Sequence, residues 1–101
     1  MKKAIQIDKE DNVGTVTDEV DQEENLEVLG PEGNIILKIK PLEKIIFGHK
    51  IALKNFLPKD EIIKYGEIIG VATTGIEVGE WIHTHNVESG RLPTRKLEES
   101  E

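Results

Sequence analysis

Turn signals break this chain too often for any long element to form. Gly30-Pro31-Glu32-Gly33-Asn34, the stretch from Asn55 to Asp60 with Pro58 inside it, and Thr74-Gly75 each stop an apolar run. Such signals recur about every 8–12 residues, the rhythm of short strands joined by tight turns. The runs between them are rich in Val, Ile and Thr, whose branched β-carbons suit a pleated surface better than a helix. Strands are expected at residues 4–7, 13–17, 26–29, 35–40, 51–53, 61–66 and 67–73. Only residues 42–47 invite a single helical turn. The spacing predicts an all-β fold of short strands with little helix.

At 101 residues, one domain is expected, over residues 1–90, with a polar and flexible tail over 91–101. Only 37% of the chain is hydrophobic and 4% aromatic, so part of its apolar surface is expected to be covered by a partner. Thirteen Lys and Arg against twenty Asp and Glu give a formal net charge of −7. That argues against nucleic acid and anionic membranes as partners, which need a basic footprint, and leaves room for a local basic pocket. Without cysteine there is no disulfide framework, no thiolate metal site and no cysteine nucleophile. The N-terminus turns charged too soon for a secretory leader, and no apolar run is long enough to span a bilayer, so a cytoplasmic location is expected. The acidic stretch from Asp18 to Glu27 could be a metal cluster, but is read as a solvated loop entering the strand at Leu26.

The richest chemistry lies in Gly79-Glu80-Trp81-Ile82-His83-Thr84-His85-Asn86, which holds two of the three histidines and the only tryptophan. Read as a strand, it puts Trp81, His83, His85 and Val87 on one face and Glu80, Ile82, Thr84 and Asn86 on the other. The two histidine backbones would stand about 6.7 Å apart, two strand rises, close enough for both imidazoles to reach one metal ion or one anion. The alternative is a half-exposed edge pair with no ligand. A weak internal echo links residues 24–30, 60–66 and 79–85, each a turn followed by apolar positions, and aligns Lys64 with His83.

Three motifs, Gly48-His49-Lys50-Ile51-Ala52-Leu53, Ile63-Lys64-Tyr65-Gly66-Glu67-Ile68-Ile69-Gly70 and Gly79-Glu80 with His83-Thr84-His85-Asn86-Val87, together resemble the N-terminal SAF domain of the altronate/galactarate dehydratases. The resemblance covers residues 5–87. It implies a β-clip fold. It also implies a hydro-lyase chemistry that removes water from altronate or galactarate to leave a 2-keto-3-deoxy acid, with iron or manganese as the divalent metal. Sulfolactate sulfo-lyase, which eliminates sulfite, has a similar small subunit. Because the dehydratases carry this domain ahead of a much longer catalytic part, the chain is expected to be a small subunit, inactive without a large catalytic subunit, and possible also as a homo-oligomer. A non-catalytic sugar-acid-binding module and a purely structural subunit are the other readings.

Elimination of a β-hydroxyl needs a base for the proton beside the carboxylate, a cation or metal for the enediolate, and an acid or metal for the leaving hydroxide. His83, His85 and Lys64 are the expected catalytic residues, with His83 and His85 also expected as metal ligands. His49, Asn86 and Tyr65 are expected to bind substrate. Gly48 lets the backbone turn and aim His49 into the same cleft. Against these stand plainer roles: His49 as a core histidine bonded to a carbonyl, Lys64 as a surface lysine, Tyr65 as packing with a wet hydroxyl. Trp81 would form the pocket wall or a subunit interface.

Overall fold

A computed structural model describes residues 1–89; the expected tail at 91–101 lies outside the described residues. The described chain contains no helix and folds as nine strands: β1 (Lys2–Ile5), β2 (Val13–Val16), β3 (Leu26–Leu29), β4 (Ile35–Ile39), β5 (Lys50–Ala52), β6 (Glu61–Lys64), β7 (Glu67–Ala72), β8 (Trp81–Ile82) and β9 (Val87–Glu88). Six of them form one sheet in the order β4-β3-β1-β2-β5-β8. A second sheet holds β6-β7-β9. Only β1 and β3 run parallel; the other pairs are antiparallel. The all-β class expected from the turn rhythm is the one observed.

Alternation along β5 organises the interior. Ile51 enters a core with Ala4, Val16, Val20, Leu26, Val28 and Ile45. Its neighbour Ala52 enters the other, with Val13, Phe56, Ile62, Ala72, Ile76 and Ile82. Successive side chains of a strand point to opposite faces, so one three-residue strand serves two apolar clusters. The second cluster draws on both sheets and closes the small one over the large one.

One local unit occurs four times. It has a buried apolar residue, one further residue, a two-residue turn whose second residue has positive φ, and then a residue whose N–H bonds back to the residue before the turn. Its copies centre on Val20, Ile45, Phe56 and Ile76. The positive-φ position is Glu23 (φ 68), Gly48 (φ 85), Lys59 (φ 77) and Gly79 (φ 94). The closing backbone bonds are Glu24 N to Asp21 O, His49 N to Ile46 O, Asp60 N to Leu57 O and Glu80 N to Glu77 O, all 3.0–3.1 Å. The units pair two by two through isolated bridges, Val20 with Ile45 and Phe56 with Ile76.

This repeat corrects two expectations. Residues 42–47 form no helical turn: Ile45 is committed to its bridge with Val20, and the chain turns at Phe47-Gly48. The echo of residues 24, 60 and 79 is out by one residue in its last member, because Glu24 and Asp60 correspond to Glu80. Lys64 therefore matches Thr84, not His83. In a structure of period two, a slip of one residue exchanges the faces. The echo also overlooked the copy ending at His49.

Candidate functional site

The site forms where β5 meets β8 at the end of the large sheet. Lys50 pairs with Ile82 and Ile51 with Trp81. Carried one residue further, that register sets His49 opposite His83, and their ring centroids are 5.1 Å apart. Gly48, at φ 85, turns the chain just before His49, as expected of that glycine. Trp81 is the hub. Its indole lies nearly parallel to His83, at 5.1 Å and 12°, and is tilted against His85 at 4.9 Å and His49 at 5.6 Å. All three histidines of the chain thus touch one aromatic side chain, while His83 and His85 have no ring contact with each other.

The segment expected as one long strand is not one. Strand β8 ends at Ile82, and residues 83–86 make a turn before β9. Asn86 explains why. Its side-chain oxygen accepts the His83 N–H at 3.0 Å, and its amide nitrogen donates to the Trp81 carbonyl at 2.9 Å. Asn86 N–H also donates to the His83 carbonyl at 3.1 Å. An Asn that satisfies backbone groups three residues away favours a turn over a ladder. Asn86 is only 2% exposed, and its side-chain amide is taken up by the backbone on either side of Ile82.

His49 is fixed in a particular chemical state. The indole Nε1–H of Trp81 donates to His49 Nδ1 at 3.0 Å. Indole N–H can only donate, so the Nδ1 lone pair is occupied and the ring proton resides on Nε2. Its free nitrogen is a hydrogen-bond donor. Metal-binding histidines show the opposite arrangement, donating from the nitrogen that does not bind. His49 suits a substrate oxygen and does not suit a metal ion. Nor is it a core histidine bonded to a carbonyl; it is half-buried and partnered by an indole.

Among the described residues, no three His, Asp or Glu side chains converge as a ligand set. His83, half-buried, and His85, exposed, offer two imidazoles, one fewer than the three protein ligands usual in a catalytic metal site. The donors among the described residues do not by themselves fit an iron or manganese centre.

Lys64 and Tyr65 lie at the β6–β7 turn, where the Lys64 ammonium sits 4.9 Å over the Tyr65 ring. Tyr65 is 61% exposed and holds φ 58. No hydrogen bond, ion pair or ring contact joins either residue to the imidazoles. Sequence reading passed over Lys50, which lines a cleft of about 310 Å³ together with His83 and Thr84. Burial in the first place, and the positive charge of Lys64 in the second, hold its ammonium below the usual lysine range. The signal was available: Lys50 alternates with Ile51 in a short apolar strand and had to face the second core. A larger cleft, about 830 Å³, opens around Met1, Lys2 and Asp18 and contains no histidine.

These features sit in a chain with recognisable relatives. Residues 2–90 match the family model described as the altronate/galactarate dehydratase SAF domain. Altronate dehydratase of Bacillus subtilis is 38% identical over 89 residues, which cover 88% of this chain and 17% of that enzyme. The (2R)-sulfolactate sulfo-lyase subunit alpha of Paracoccus pantotrophus is 47% identical over 47 residues, 46% of this chain and 70% of that subunit. Galactarate dehydratase (L-threo-forming) of Escherichia coli is 49% identical over 41 residues, 41% of this chain and 8% of the enzyme. The matched region is thus about a sixth of the altronate dehydratase and most of the sulfo-lyase subunit. No helix among the described residues is long and apolar enough to cross a membrane. By its match over nearly its whole length, the chain belongs to the altronate/galactarate dehydratase SAF domain family.

Proposed function

We propose that this SAF domain is the small subunit of a sugar-acid hydro-lyase, of the altronate or galactarate dehydratase type. It lends its histidine cluster to an active site completed by a large catalytic subunit. The observation that carries the reading is the gathering of His49, His83 and His85 on Trp81, in a domain whose relatives are lyases. His49 Nε2–H donates to a hydroxyl or carboxylate oxygen of the substrate and orients it. His83, stacked on the indole and held by Asn86, is the group placed for proton transfer beside the carboxylate. His85, the one exposed imidazole of the three, faces the partner. His83 and His85 supply at most two donors to a divalent ion, iron or manganese, and the remaining ligands belong to the larger chain.

The sulfo-lyase relationship supports a second reading, the small subunit of a sulfolactate sulfo-lyase, because the match spans 70% of that subunit alpha. Both readings need the same partner and the same acid–base group. Affinity purification of the tagged chain, followed by assay of the complex on altronate, galactarate and sulfolactate with and without iron or manganese, separates them. His83→Ala should abolish turnover of the complex and leave the melting transition of this chain in place. Unchanged turnover in both His83→Ala and His85→Ala would remove the histidines from the chemistry.

A further inference from the structure

The cleft beside His83 holds a positive charge with no ion-pair partner among the described residues. Three of the ten described lysines are matched by acids: Lys2 with Glu24 at 3.3 Å, Lys3 with Glu27 at 3.2 Å, Lys44 with Glu19 at 2.9 Å. Lys50 and Lys64 have no such partner among the described residues, in a chain with twenty acidic side chains against thirteen basic ones. Glu88 lines the same cleft and makes no ion pair with either lysine. The charge whose field acts on Lys50 is another cation, Lys64. Directly across the ladder from Lys50 stands Thr15, whose hydroxyl is buried and has no hydrogen-bond partner. Buried polar atoms and half-buried ammoniums are ordinarily satisfied, so this concentration of unmet groups needs a reason. Ile69, Ile82 and Val87 form an apolar wall, and Ser89 completes the lining. A cationic end, an apolar wall and a rim of His83 and Thr84 describe a seat for a short carbon chain ending in a carboxylate.

We propose that the cleft bounded by Lys50, Ile69, His83 and Thr84 binds the carboxylate of a small hydroxy acid, with Lys50 as the direct contact and Lys64 as the supporting charge. This rests on the lyase reading for the identity of the acid, but not for its binding. Lys50 projects from the face of β5 opposite to His49 and Ile51, so the anion seat and the Trp81 cluster approach His83 from two sides of the strand. A bound acid anchored at Lys50 would present its carbon next to the carboxylate to His83.

The test is a titration of the isotopically labelled chain, reading the lysine Nζ resonances and the backbone amides. The probe is L-tartrate, a hydroxy dicarboxylate, and the control is erythritol, a neutral polyol with the same carbon count. Tartrate should give saturable shifts at Lys50 Nζ and at the Ile69 and Thr84 amides, and erythritol none. Lys50→Gln should weaken tartrate binding at least about tenfold, the usual loss when a charged hydrogen bond is removed. Lys64→Gln should weaken it less, and Lys54→Gln, which removes an exposed lysine over Phe56, should leave it unchanged. Unaltered binding in Lys50→Gln, or no saturable shift in the wild type, would overturn the seat. The two ideas have separate readouts: turnover of the assembled complex in His83→Ala tests the lyase role, and tartrate binding in Lys50→Gln tests the anion seat, so failure of one leaves the other standing.

Discussion

The turn ending at His49 and the turn ending at Glu80 have the same backbone and opposite uses. In the second, Glu80 Oε1 accepts the Glu77 N–H at 2.6 Å, closing the unit on itself. Asp60 does the same for Leu57 at 2.8 Å, and Glu24 for Asp21 at 2.9 Å. In the first, a histidine occupies the capping position, gives the Ile46 N–H no acceptor, and turns its Nδ1 to Trp81 instead. Three copies of the unit spend their last side chain on local stability. The fourth spends it on the site. A fold that repeats a self-capping turn has redundancy in its scaffold, and one copy can be released for chemistry while the other three hold the sheets together.

Glycine 79 and glycine 48 occupy the same position of that unit and should respond most differently. A Cβ at Gly79 would lie 2.8 Å from the Lys40 carbonyl oxygen, in a backbone at φ 94. Gly79→Ala should therefore cost about 2–4 kcal/mol, strain and backbone clash together. Gly48 has a similar φ but nothing within 4 Å, and Glu23 and Lys59 tolerate side chains at the equivalent place. Gly48→Ala should cost about 1 kcal/mol. Denaturant unfolding of the two variants tests the contrast, and equal losses would break it.

A swap of capping residues comes next. Asp60→His removes an acceptor from Leu57 N–H and should destabilise the chain by about 1 kcal/mol. His49→Asp restores a cap and forfeits the indole bond, two terms of about 1 kcal/mol each and of opposite sign. Its melting point should stay near that of the wild type while turnover of the assembled enzyme is lost. Full activity in His49→Asp would mean that the departure from the repeat is incidental.

Lys50 and Glu24 give smaller effects of the same sign, stability rising with pH, in different pH ranges. Burial holds Lys50 below its unfolded value, so its ammonium costs stability at neutral pH, and that cost is relieved as pH rises through the lowered folded value toward the usual lysine range of about 10.4. Lys50→Met should raise the melting point at pH 7 and lose that advantage in alkali. Glu24 is held low chiefly by the backbone N–H of Asp21. Its contribution is present above the ordinary carboxylate range and is lost as pH falls through the lowered folded value. Acid should thus loosen the turn at Glu24, and amide exchange at Asp21 should rise, while the turn at His49 has no carboxylate cap to lose.

Much of the strand pattern is readable in the chain. The run at residues 26–29 is a strand with those limits, and the ends of the other strands expected between residues 4 and 73 shift by at most two residues. Expectation and structure part at Asn86 and His49. Trp81 to Asn86 alternates as a strand does, but Asn86 can satisfy two backbone groups three and five residues back, and that local competition ends β8 at Ile82. The repeat was visible only as an echo because its features, a positive φ met by Glu, Gly or Lys and in three copies an Asp or Glu side chain folded onto an N–H, do not fix one residue type. Lys64 was expected beside the histidines on a register one residue out; it bears on Lys50 instead.

What the sequence determined alone is the class of fold and the cast of the site. Frequent turn signals forbid helices, period-two alternation assigns faces, and the absence of cysteine leaves imidazole, ammonium and carboxylate as the available chemistry. Tertiary structure decided how that cast is used. The β5–β8 register sets His49 against His83, the indole N–H fixes which nitrogen of His49 is free, and the closing of one sheet over the other half-buries Lys50 beside a second cation. Those outcomes depend on contacts between residues about 32 positions apart, where the geometry of pairing, not local propensity, sets the distances.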